Sequence, residues 1–87
     1  MIEPKLDEVL TRIRTMLLAK NAAYGNSAFK PISIFAKGNP IEQIDTRIDD
    51  KLNRIAHGHE YHGDDTIMDL IGYLILRIVV AEILEEV

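Results

Sequence analysis

The sequence predicts an all-α fold of three main helices with a long apolar C-terminal helix, completed as a helical bundle by oligomerisation. Three observations carry this. Apolar residues recur at i, i+3, i+4 and i+7 over two separate segments. A third segment, opening at Asp64-Asp65-Thr66 and continuing to about Glu86, is apolar on nearly every face. Turn-forming and capping residues separate the three.

The first helix is expected from Pro4, which suits a first turn, to about Lys20, with Leu6, Val9, Leu10, Ile13, Met16 and Leu17 as its buried stripe. Asp7, Glu8, Arg12 and Arg14 fall on its other faces. The stretch Lys20-Asn21-Ala22-Ala23-Tyr24-Gly25-Asn26-Ser27 ends it, since glycine and asparagine tolerate left-handed backbone. Residues Phe29 to Lys37 are short and irregular in pattern and suit a packed loop or a single helical turn. Asn39-Pro40-Ile41-Glu42 then combines an N-cap residue, a first-turn proline and a glutamate at the third position, as a helix start requires. This second helix runs to about Ala56 with Ile41, Ile44, Ile48, Leu52 and Ile55 inward. A polar connection, 57–63, leads to Asp64, which can cap the third helix, and to Asp65, which suits the positive end of its dipole.

The third helix decides the architecture. At about 100° per residue, Ile67, Leu70, Ile71, Leu74, Ile78 and Ala81 share one side, and Met68, Ile75, Leu76, Val79 and Ile83 cover most of the rest. Two short neighbours cannot hide all of it, so the chain is expected to meet a second copy of itself. The 87 residues make one domain, 1–87, whose core would be marginal alone.

Composition narrows the function. The chain is 47% hydrophobic and 28% charged with a formal net charge of −4, and it has no dense basic patch of the kind that a nucleic-acid polymer demands. Absence of cysteine excludes thiol catalysis and cysteine-held zinc, and fits a cytoplasmic location. The N-terminus does not read as a signal peptide. Asp69, Arg77 and Glu82 interrupt the C-terminal run, so a buried helix is expected there and not a membrane span.

The candidate chemistry lies in charges beside the apolar stripes. Glu42, Asp45 and Asp49 flank one edge of the second helix, and Arg47, Lys51 and Arg54 flank the other. Asp45 and Asp49 are like charges one turn apart with no basic residue three or four positions away, and Asp65 and Asp69 repeat the pattern on the third helix. Burial of a lone carboxylate is costly, so Asp69 amid Met68, Leu70 and Leu76 calls for a donor or a cation. The four aspartates are candidate ligands of one hard cation, magnesium or manganese. Taken singly, Asp45 reads better as a solvated acid and Asp65 better as a cap. The basic edge is a candidate phosphate clamp, with the plainer alternative that Arg47 and Arg54 pair with Asp50. Tyr24 could stack on a nucleobase or close a loop over the core. His57, His59 and His62 lack zinc-motif spacing.

Three blocks, Lys20 to Ser27, Arg47 to Ile55 and Asp65 to Tyr73, resemble those of small phage-type proteins of the nucleotide-modification-associated group. That group is similar to the all-α nucleoside-triphosphate pyrophosphatases, the MazG and dimeric dUTPase superfamily. The resemblance covers about residues 16 to 80. It implies a helical oligomer that binds nucleotides with magnesium held by helix carboxylates, and it brings Lys20 and Asn21 into the nucleotide-binding set with Tyr24, Arg47, Lys51 and Arg54. Asp69, followed by Leu70 and Tyr73, matches the final acid of the pyrophosphatase pattern. The chain departs from the larger enzymes' glutamate-rich motifs, having Thr66 three residues before Asp69 and Asp65 four before, and Ala23 where the small family commonly has an acid. A nucleotide-binding protein with pyrophosphohydrolase activity is therefore one expectation. A non-catalytic helical dimer serving as an interaction module is the other.

Overall fold

The computed structural model describes residues 1–25, 38–58 and 65–86, and these form three helices: α1 (Ile2–Ala23), α2 (Pro40–His57) and α3 (Thr66–Glu86). There is no strand among the described residues. The all-α class is thus as expected, while the ends of the elements shift. Helix α1 starts two residues before Pro4, because a proline in the first turn gives up an N–H that has no intrahelical partner anyway. It also continues three residues past Lys20, ending at Tyr24, whose N–H donates to the Lys20 carbonyl, and at Gly25 with φ of 60°. The expected loop at Phe29 to Lys37 lies outside the described residues.

Helix α2 begins as its sequence indicates. The Asn39 side chain accepts from the Glu42 N–H at 2.9 Å, and Pro40 occupies the first turn. It ends one residue later than expected, at His57, with Gly58 at φ 65° donating to the Arg54 and Ile55 carbonyls. At the start of α3 it is Asp65 that caps, its Oδ1 accepting from the Met68 N–H at 3.0 Å. Asp64, expected in that role, lies outside the described residues.

Helix α3 is the common partner. Ile44, Ile48 and Val80 are buried together at the α2/α3 interface, with Ile41, Leu70, Tyr73 and Leu76 packed around them. Burial of each such aliphatic side chain stabilises by about 1.5–3 kcal/mol. Two ion pairs set the direction of packing: Asp45 meets Arg77 and Lys51 meets Asp69, so α2 and α3 are antiparallel. Helix α1 touches α3 over a smaller patch, centred on Gly72, where an added Cβ would meet Leu17 Cδ2 at 3.2 Å and Met16 Cε at 3.3 Å. Along this patch α1 also runs counter to α3, since Lys20 reaches Asp69 one turn further on. Helices α1 and α2 are therefore parallel to each other.

The buried stripes are shorter than the sequence pattern suggests. Of the α1 stripe only Ile13 is fully buried, and Leu6 and Leu10 are exposed; on α2, Leu52 and Ile55 are exposed beyond Ile44 and Ile48. Among the described residues nothing covers them. No helix among the described residues is long and apolar enough to cross a membrane.

Candidate functional site

The three helices meet at one carboxylate. Asp69, in the first turn of α3, receives Lys20 of α1 at 3.1 Å on Oδ1 and Lys51 of α2 at 3.5 Å on Oδ2. Each lysine takes a different oxygen. Asp69 is one-fifth exposed, Lys51 only 12% exposed and Lys20 half exposed, so the pocket grades from protein to solvent through the α1 side. The positive end of the α3 dipole lies under the same carboxylate. This is the donor that the sequence pattern demanded for Asp69, supplied by two residues expected in the nucleotide-binding set, Lys51 as a phosphate contact.

The other carboxylates are placed apart from it. Asp45 accepts from Arg77 across the α2/α3 groove in a two-point pair, Nε to Oδ1 and Nη2 to Oδ2, the latter at 3.4 Å. The Asp45 hydrogen bond, and then its charge, raise the Arg77 guanidinium pKa above its ordinary value. Asp65 is engaged as the α3 cap. Asp49 is exposed, and it lies about 160° around α2 from Lys51, so the α2 residue that faces Asp69 is Lys51. Among the described residues, no three of His, Asp and Glu gather into a group able to hold a metal ion. A four-aspartate shell is not assembled within one chain. What the arrangement does fit is the way magnesium is often held, by one or two carboxylates and the phosphates of its own nucleotide.

The remaining predicted residues distribute around the Lys20–Asp69–Lys51 junction. Tyr24 is one turn beyond Lys20 and two-thirds exposed, so it does not close over the core. Arg47 is exposed one turn before Lys51 on the same side of α2. Arg54 pairs with Asp50 at 3.5 Å, the local alternative that its spacing allowed. Asn21 is exposed on the last turn of α1. His57 ends α2 with Nδ1 2.8 Å from the Asn53 carbonyl, and the other two histidines lie outside the described residues.

One participant was missed by sequence reasoning. Arg77 was read only as an interruption of the apolar run, yet it answers Asp45. The signal was present: once Lys51 is set opposite Asp69, an antiparallel register brings position 45 to about position 75, within reach of the long Arg77 side chain. Both charged edges of α2 thus meet their opposite on α3. No protein-family model, curated protein or solved structure matches the chain.

Proposed function

We propose that the chain is a nucleotide-binding protein that works as a homo-oligomer and holds the phosphates of its ligand at the junction of Lys20, Lys51 and Asp69. The observation that carries this reading is the meeting of the three sequence blocks. Residues 20, 51 and 69 stand far apart in the chain, and each belongs to a different block of the family resemblance, yet they come within 3.1 and 3.5 Å of one another through Asp69. Two ammonium groups on separate helices form a rigidly based pair of cations, able to balance phosphate charge on a protein of net charge −4. In the free protein Asp69 occupies both. An incoming phosphate takes over the lysines, and Asp69, so released, is the residue that would hold the nucleotide's magnesium. Exposed Tyr24 beside Lys20 offers a ring for the base, and Arg47 a further cation. Pyrophosphohydrolysis is the activity that the family resemblance implies for such a site.

A second reading, a non-catalytic interaction module, is favoured by one feature: Asp45 and Asp69 are already matched by Arg77, Lys20 and Lys51. Calorimetric titration with a panel of standard and modified deoxynucleoside triphosphates, with and without magnesium, separates the two. At least one member is expected to bind, and Lys51→Ala should weaken it about tenfold or more through loss of a charge-assisted contact. Asp69→Asn frees the lysines, so it should tighten metal-free pyrophosphate while abolishing any magnesium-dependent turnover. Absence of binding by every member at millimolar concentration would favour the module.

A further inference from the structure

We infer that two copies pair through the face of α3 that carries Ile67, Leu74 and Ile78, packed antiparallel about a two-fold axis. The inference rests on the homo-oligomer proposed above and goes further by naming the face and the symmetry. It does not use the phosphate site.

The three residues are 54%, 45% and 62% exposed. At 100° per residue they form one straight stripe, about 120–160° around α3 from Val80, which packs on α2, and from Gly72, which packs on α1. Nothing in the chain's described residues covers this side. It is also free of charge for its whole length: from Ile67 to Ile78, about 16 Å, no ionisable residue falls on the stripe, and Glu85 returns to that line only near the helix end. A C₂ axis between positions 72 and 73 sets Ile67 against Ile78 of the partner subunit and Ile78 against the partner's Ile67. That brings Leu74 close to the axis and leaves Glu82 and Glu85 beyond the start of the facing helix at Thr66. A self-complementary stripe of this kind is what an isologous contact requires.

Area argues for a second copy as the occupant. The chain exposes 6860 Å², about one third more than the roughly 5200 Å² expected of a compact monomer of its mass. Its radius of gyration is 14.2 Å, against about 12 Å for 87 residues in a compact fold. The excess is ample for one side of a standard interface, which takes about 800 Å². Helix α1 contributes in the same sense. The face that buries Ile13 continues towards its start through Leu10, Leu6 and Ile2, all exposed, so half of α1 overhangs the fold with an uncovered apolar stripe that a partner can use.

Sedimentation of the full chain at micromolar concentration should give twice the 9.9 kDa monomer mass. Ile78→Glu should raise the dimer dissociation constant at least a hundredfold, while Asn53→Glu, on an exposed polar part of α2, should leave it unchanged. Because a charge at position 78 could unfold the chain, the double variant Ile67→Cys/Ile78→Cys provides a second reading on a background without cysteine. The two positions are about 16 Å apart along one helix, too far for an internal bridge, so mild oxidation should yield covalent dimers. A wild-type monomer overturns both the oligomer and this inference. A dimer that resists Ile78→Glu and fails to cross-link, or that is lost in Asn53→Glu instead, overturns the α3 face and leaves the oligomer standing.

Discussion

At the scale of single residues, Asp69 divides its two oxygens between half-exposed Lys20 and nearly buried Lys51. A lone acid in an apolar run announces that something must satisfy it, but which groups do so depends on contacts 49 and 18 positions away in the chain, to Lys20 and Lys51. Lys51 was expected at a ligand's phosphate and Lys20 in the nucleotide-binding set; in the protein alone both serve the carboxylate. The two contacts differ in weight. Lys51 is almost withdrawn from water, so removal of its counter-charge strands it, whereas half-exposed Lys20 is screened. Asp69→Ala should therefore destabilise by about 1–3 kcal/mol and Lys20→Ala by less than about 1 kcal/mol in urea unfolding. Equal effects would mean that burial does not grade across the junction in this way. The pair between Asp45 and Arg77 is open to solvent, and its contribution should fade as salt is raised.

At the scale of elements, helix starts and stops were the most readable features, because they depend on neighbours in sequence. Asn39 caps α2 where its pattern with Pro40 and Glu42 indicated, and Asn39→Ala should cost about 1 kcal/mol. Asp65 holds the same role on α3, and Asp65→Ala should cost a similar amount, about 1 kcal/mol, while leaving α2 unaffected in site-resolved hydrogen exchange. Less readable was the joint between α1 and α3. Gly72 lies within a helix, where glycine is unfavourable by about 1 kcal/mol relative to alanine, and only the approach of Met16 and Leu17 explains it. A single methyl there meets flexible side-chain ends that can move by a few tenths of an ångström. A larger group cannot be accommodated in that way. Gly72→Leu should destabilise by about 1–3 kcal/mol and should speed amide exchange in α1 more than in α2.

For the whole molecule, periodicity conveyed the class and overstated the core. Leu6, Leu10, Leu52 and Ile55 continue their stripes correctly, yet they are exposed in one copy, since periodicity says which face is apolar and not what covers it. The uncovered surface is the physical link between the sequence pattern and the proposed assembly. If the dimer and the fold are coupled, the melting temperature should rise with protein concentration, as it does when association stabilises only the folded state. The phosphate junction lies on the opposite side of α3 from the proposed dimer face, so a ligand should bind each copy without altering the association. The most direct measurement is a residue-resolved NMR titration of the wild-type chain with pyrophosphate and with a magnesium-bound deoxynucleoside triphosphate. Saturable shifts should concentrate at residues 20–24, 47–54 and 66–70 and vanish in Lys51→Ala. Shifts confined to other parts of the chain, or none at millimolar ligand, would contradict a phosphate site at Lys20, Lys51 and Asp69.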